Sequence, residues 1–211
     1  MKFNYRKYFS QIRPKTKMEI YNRFLFSFCS VHTTWERNII AYELLKDVYH
    51  TNKEALRTLI LKAGVGLTNN RTEFIYEFTQ KFLENHKIYL REKEESWKSY
   101  ATRLTKIVKG LGFAKARFAI ELIYPNTAQI CCVDTHIIQW AKQNPNKMNL
   151  TLYKKIEEGW INHSKVQGLN PVEARWKWWD KKQGYEDPRY WSHVLENDKR
   201  IMGDISSSIG K

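Results

Sequence analysis

The sequence predicts an all-α protein. Apolar residues recur at three- and four-residue spacing, capping boxes mark helix starts, and the alternating pattern of a strand is almost absent. In the first clear helix, Phe24, Leu25 and Phe28 follow this spacing. The boxes span Thr33–Glu36 and Thr51–Glu54. The length of 211 residues suffices for one large domain or two small packed lobes.

Later segments extend the helical pattern. A turn at Gly64-Val65-Gly66 precedes a helix outlined by aromatic residues between Phe74 and Phe82. Asn170 predicts another helix start, because a proline follows it at the first helical position and Glu173 lies in the first turn. Glycines and serines in residues 201–211 predict a flexible tail.

The charge balance predicts a polyanionic partner. Lysine and arginine total 36 and aspartate and glutamate 22, which gives a formal net charge of +14. No apolar stretch reaches the roughly 18 residues that a membrane-spanning helix needs, and no secretory signal pattern is visible. We therefore expect a nucleic-acid partner and no membrane association. The expected location is intracellular, in the cytoplasm or nucleoid of a cell, which includes an infected bacterial host.

The three cysteines, Cys29, Cys131 and Cys132, predict buried free thiols in a reducing compartment rather than a disulfide framework. Three cysteines also cannot supply the four thiolates of an iron–sulfur cluster. The sequence therefore predicts no iron–sulfur cofactor and no metal site.

The segment Gly110-Leu111-Gly112 lies between two helical runs and predicts a tight hairpin. Its backbone N–H groups are unobstructed by side chains, and the next helix presents the positive end of its dipole there. Lys109 and Lys115 add full charges, so the hairpin with Ala114 and Lys115 is a candidate phosphate site. A purely structural turn is the alternative for this spacing taken alone.

Asp134 directly follows the mostly apolar run 129–133. A carboxylate in that place can cap a helix or pair with a nearby lysine. It can also stabilise positive charge on a sugar or orient a water molecule.

Together these segments resemble the helix-hairpin-helix DNA glycosylase superfamily. The hairpin matches at 110–112, and Val133-Asp134-Thr135-His136-Ile137 matches the family's second motif along its whole length. Upstream, residues 28–34 resemble the family's early helix end, and residues 63–71 resemble its mid-domain turn. The resemblance thus covers about residues 20–143 in order.

The resemblance implies a single two-lobed helical unit with an active-site cleft between the lobes. Residues of about 30–130 would form the central lobe ending in the hairpin, and 1–29 with 131–200 the second lobe. The implied partner is double-stranded DNA bound by a monomer, with one base rotated out of the helix for reaction. A monovalent cation at the hairpin backbone is compatible with this family.

The resemblance also implies roles for individual side chains. Asp134 would stabilise an oxocarbenium-like sugar and guide water to its C1′ carbon, and His32 would fill the gap left by the extruded base. Trp35 and His136 are candidates for the base pocket or its rim. In the late helix, helical spacing places Trp176 and Trp179 in the core, which leaves Trp178 as the pocket candidate.

The chain departs from the family after the second hairpin glycine. Bifunctional members carry a catalytic lysine two residues later, where this chain has Ala114. Lys115 follows one step on, and one helical residue rotates a side chain by about 100°. We therefore interpret Lys115 mainly as a phosphate-contacting or solvated residue, keep it as a second catalytic candidate, and predict a monofunctional glycosylase that forms no Schiff base.

The tryptophan-rich segment 174–180 is a second departure. With the pattern Gly-x-Gly-x-x-Lys-Ala, it is similar to divergent members in bacterial viruses, some of which are predicted to modify thymine derivatives in DNA. Two alternatives to base excision thus remain: a transferase acting on a flipped 5-substituted pyrimidine, with Asp134 as base, and a non-catalytic DNA-binding relative.

Overall fold

A computed structural model describes residues 3–183 of the chain, and within this range the protein is helical with no strand. Its α-helices are α1 (Tyr5–Ile12), α2 (Lys17–Cys29), α3 (Trp35–Leu45), α4 (Lys53–Ala63), α5 (Thr68–Asn85), α6 (Trp97–Ile107), α7 (Phe113–Ile123), α8 (Thr135–Trp140), α9 (Leu150–Val166) and α10 (Pro171–Gln183). Two short 3-10 helices span His86–Tyr89 and Pro145–Lys147. The all-α prediction is confirmed.

Side-chain caps set several helix starts, one residue later than two of the predicted boxes. Thr34 rather than Thr33 caps α3, and Asn52 rather than Thr51 caps α4, where its side chain accepts a 3.0 Å bond from the Ala55 N–H. Both predictions were off because two adjacent polar residues can each serve as a cap. The predicted start of α10 is confirmed, since the Asn170 side chain accepts from the Val172 N–H at 2.8 Å.

The larger apolar core joins α1 to α7 and receives two residues of α10. Aromatic rings fill its centre, with Phe24 and Phe78 at 5.0 Å between ring centroids. One buried polar pair in this core is formed by the hydroxyls of Tyr21 and Thr79, which share a 2.6 Å hydrogen bond. From α10, Trp176 is fully buried and meets the ring of Phe9 edge-on at 4.6 Å, so its predicted core position is confirmed.

A smaller apolar cluster joins the segment after α7 to α8, α9 and the other side of α10. Ile137, Tyr153 and Trp160 are buried in it. Helices α1 and α2 belong to the larger core, and α1 also contacts α10 there, through Phe9 on Trp176. The predicted tail at 201–211 and the end of the second lobe lie outside the described residues.

No helix in the described part of the chain is long and apolar enough to cross a membrane.

Candidate active site

The hairpin between α6 and α7 has the backbone conformation that glycine permits. Gly110 has a φ of +85°, and a Cβ atom there would overlap the ring of Phe74 from α5. Leu111 is buried and anchors the hairpin in the larger core. Gly112 begins α7 as its N-cap without a side-chain hydrogen bond. The first N–H groups of α7 therefore lie next to Gly112, which has no side chain to cover them.

Two predicted DNA contacts lie next to this hairpin. Lys109 is exposed, and its amine is 3.0 Å from the Glu77 carboxylate of α5. Ala114 is half-buried and packs against both apolar clusters, so a contact there would come from its backbone.

A cavity of about 170 Å³ opens where the two apolar clusters meet. Its walls come from the α2–α3 connection and α3, from α7, from the segment before α8, and from α10. The lining residues are Ser30, Thr33, Thr34, Trp35, Asn38, Lys115, Phe118, Cys132, Asp134, Arg175 and Trp179. The structure thus brings together three sequence candidates, Trp35, Lys115 and Asp134.

Asp134 is both a helix cap and a cavity residue. Its Oδ1 accepts a 3.0 Å hydrogen bond from the Ile137 N–H at the start of α8. Its Oδ2 accepts a 2.9 Å bond from Nη1 of Arg175 on α10. The side chain remains 26% exposed, so a ligand in the cavity can reach the carboxylate.

Arg175 holds the Asp134 carboxylate in place. Its guanidinium is almost fully buried and also donates from Nε to the buried carboxylate of Glu121 at 2.7 Å. Glu121 in turn accepts from the Cys132 N–H at 2.6 Å. Although burial opposes its charge, the Glu121 carboxylate raises the pKa of Arg175 above its usual range. Arg175 is therefore a permanent cation that orients Asp134.

Lys115 lines the cavity, so its interpretation as a solvated residue was wrong, while a phosphate contact by its amine stays a prediction. Its amine lies 5.5 Å from the ring centroid of Phe118, one turn further along α7 and also in the cavity wall. The rotation argument failed because it fixed the direction of the Cβ atom, whereas four methylenes carry the amine further. Burial lowers the pKa of Lys115 from its ordinary value.

The pocket tryptophan of α10 is Trp179, and the prediction of Trp178 was wrong. Trp179 lines the cavity with its ring 5.7 Å from that of Trp35. Trp178 packs with the smaller cluster and donates from Nε1 to the His136 carbonyl at 3.3 Å. The reason is helix phase, because Trp179 lies four residues after Arg175 and shares its face. His136 is not among the lining residues, and its ring lies 6.1 Å from that of Trp179.

His32 lies outside the cavity, in a separate hollow beside the hairpin. It is exposed, has a φ of +47°, and shares the hollow with Gly110 and Leu67. Leu67 has a φ of +49° and is 51% exposed, which is unusual for a leucine. The guanidinium of Arg71 binds the carbonyls of Val31 and Val65 at 2.8 and 3.1 Å, which ties the two loops together.

Sequence reasoning missed Leu67, Arg175 and Asn38. The only available signal for Arg175 was its four-residue spacing from Trp179 on a helix. For Asn38 and Leu67 the sequence carries no distinguishing pattern.

Cys132 also lines the cavity, but burial raises the pKa of its thiol to about 12, so the thiol keeps its proton at neutral pH. Within residues 3–183, no three side chains of the metal-ligating types His, Cys, Asp and Glu group closely enough to hold a metal ion.

The chain has the fold of 8-oxoguanine DNA glycosylases in solved structures. The enzyme of Thermotoga maritima superposes with a TM-score of 0.71 at 18% identity, over 86% of this chain and 89% of that chain. The enzyme of Methanocaldococcus jannaschii gives 0.70 at 19% identity, over 85% of each chain. The glycosylase/lyase of the same organism, in complex with a 15mer DNA containing 8-oxoguanine, gives 0.72 at 18% identity, over 85% and 89%.

No protein-family model matches the chain, and no curated protein matches it significantly in sequence. The likeness thus rests on three-dimensional structure, and it confirms the two-lobed glycosylase architecture that the motifs predicted.

Proposed function

We propose that this chain is a DNA glycosylase that draws one nucleotide out of a duplex and cleaves its N-glycosidic bond in the cavity. The observation that carries the proposal is the position of α7. The hairpin at 110–112 leads directly into its first turn, and its third residue, Lys115, lies in the cavity with Asp134. A strand held at the hairpin is therefore within a few residues of the reactive groups.

Duplex DNA is the partner that fits the surface. The net charge of +14 favours a polyanion, and the uncapped start of α7 provides backbone donors for a phosphate. One structural neighbour was solved with DNA bound. Rotating a base out of the stack costs a few kcal/mol, which contacts to the strand and the cavity must offset.

Asp134 is suited to stabilise a cation at the sugar. Asp134 shares its Arg175 partner with Glu121, whose pKa is raised by burial. The Asp134 carboxylate is the member of this group that reaches the cavity. Since hydrogen bonds from Ile137 and Arg175 hold the carboxylate in place, it needs no reorganisation as positive charge develops at C1′.

Lys115 is suited to act as the nucleophile, which replaces the expectation of a monofunctional enzyme. Its lowered pKa increases the fraction of neutral amine. The amine's lone pair forms a bond to C1′ while the bond from C1′ to the base breaks, and the base leaves with the electron pair and takes up a proton. Opening of the sugar ring then gives an iminium, which water hydrolyses to restore the lysine.

The proposal is tested by incubating the protein with duplexes that carry damaged and modified bases, followed by mass spectrometry of released bases and nucleosides. We expect a released base, and a borohydride-trapped complex that disappears in Lys115→Ala. Base release without trapping would support glycosylase activity and contradict the role of Lys115 as nucleophile. A nucleoside of increased mass would indicate the transferase, and tight binding without product the non-catalytic relative.

A further inference from the structure

We propose that Asn38 reads the extruded base, and that this base presents a carbonyl next to a ring N–H, as 6-oxopurines and pyrimidine-2,4-diones do. The inference rests on the proposed function and adds the substrate class to it. Its basis is the hydrogen bonding of the Asn38 amide within the cavity wall.

Asn38 lines the cavity and is 1% exposed. Neither its amide nitrogen nor its amide oxygen has a hydrogen-bond partner among residues 3–183. Leaving a buried polar group unpaired destabilises a protein, and most such groups in proteins are bonded. An amide unpaired at both atoms in a cavity wall is therefore expected to serve a ligand that supplies one acceptor and one donor.

The position of Asn38 is fixed by the helix that carries it. It lies three residues after Trp35 in α3, so the amide and the aromatic wall share one helix face. Its backbone N–H donates to the Thr34 carbonyl at 3.0 Å. A planar base against the Trp35 ring would thus present its edge toward the amide.

An amide can pair with either of two base edges, so the other cavity groups decide between them. The Lys115 amine and the protonated Cys132 thiol are donors in the cavity wall. The Arg175 guanidinium is already engaged by the carboxylates of Glu121 and Asp134. Both oxygens of Asp134 already accept hydrogen bonds, from Ile137 and Arg175. Donors therefore predominate around the ligand and favour a base rich in carbonyl groups. In that arrangement Asn38 Nδ2 donates to the carbonyl and Oδ1 accepts from the ring N–H.

Two variants separate base reading from a structural role. Asn38→Ala removes both hydrogen bonds, and Asn38→Leu fills the same volume without polar atoms. Since an unpaired amide is lost, Asn38→Leu is expected to retain or raise the Tm. The matched control is Asn22→Leu, which removes a buried amide outside the cavity whose Nδ2 donates to Asp47 at 3.2 Å and should lower the Tm.

The decisive measurement is affinity for duplexes with a non-cleavable 2′-fluoro nucleotide, because it does not depend on turnover. The probes carry uracil, 8-oxoguanine, adenine or cytosine, with an abasic analogue as reference. We expect wild type to favour a carbonyl-bearing probe, Asn38→Ala and Asn38→Leu to lose at least about tenfold on that probe, and both to bind the abasic duplex unchanged.

The inference would be overturned if the Asn38 variants lost as much affinity for the abasic duplex, or if wild type preferred the adenine or cytosine probe. A fall in the Tm of Asn38→Leu as large as that of Asn22→Leu would also overturn it. The proposed function fails separately, if wild type releases no base from any cleavable duplex. Selective binding without release would then leave the reading by Asn38 intact.

Discussion

Replacing Asp134 by Asn separates its capping role from its electrostatic role. The amide has one acceptor oxygen, whereas the carboxylate uses two, one for the Ile137 N–H and one for Arg175. Asn therefore keeps one of the two bonds and places an NH₂ group against the other donor. Hydrogen bonds to charged groups contribute about 1.5–3 kcal/mol. Because Arg175 keeps Glu121 and Asp134 is 26% exposed, we expect a loss of about 1–2 kcal/mol of stability.

The effect on catalysis should be larger than the effect on folding. Loss of a preorganised charge at the reacting sugar costs about 2.7 kcal/mol or more of barrier, which corresponds to a rate at least 100-fold lower. Single-turnover release of the base, measured beside a binding titration of the same duplex, checks this. We expect the rate to fall and the affinity to stay within about twofold.

The matched control removes a cap elsewhere. Asn149 caps α9 by accepting from the Leu152 N–H at 2.9 Å and lies outside the cavity. Asn149→Ala should cost about 1 kcal/mol of stability and leave base release unchanged. A folded Asp134→Asn with the wild-type rate would refute the electrostatic role. Equal rate losses in Asp134→Asn and Asn149→Ala would show that the rate falls only because the protein is less stable.

Three further predictions address the lysines and the hollow. Because burial lowers the pKa of Lys115, borohydride trapping should rise with pH and level off below the ordinary lysine pKa of about 10.4, and levelling off only near 10.4 would contradict this. Between the folded and unfolded pKa values the unfolded chain binds the extra proton, so the free energy of unfolding rises with pH in that range. Lys109→Gln should lower the affinity for all duplexes by a similar factor. The wild-type slope of log K against log salt is expected near −4 to −5 for about five phosphates, and the variant's slope should be smaller by about one unit. An unchanged slope would show that Lys109 contacts no phosphate. His32→Gly, which the φ of +47° tolerates, should lower activity on a paired target more than on a single strand, and equal losses would indicate a role other than gap filling.

The sequence was sufficient for the fold class because that signal is spread over the whole chain. Apolar spacing recurs along the chain and side-chain caps start several helices, so an error of one residue at Thr33 or Thr51 left the assignment unchanged. For Asp134 the sequence offered a helix cap and a site carboxylate as alternatives, and the structure shows the residue capping α8 and lining the cavity.

The cavity was harder to predict because it depends on helix phase and on contacts between distant segments. Trp178 and Trp179 differ by about 100° around α10, and tertiary contacts such as that of Trp176 with Phe9 fix which one faces the cavity. Arg175 reaches a carboxylate 41 residues away, and no local pattern marks such a pair. The unpaired amide of Asn38 is likewise visible only when its surroundings are known.

The two faces of α10 have a consequence for how selectivity can change. Trp176 secures the helix to the larger core, while Trp179 forms a cavity wall and Arg175 holds the carboxylate. The hairpin that we propose to hold the DNA precedes a different helix, α7. If the cavity holds a base as we propose, substitutions at position 179 can reshape the space around it while the hairpin stays unchanged, so one scaffold can accept a new lesion through a single partly buried ring.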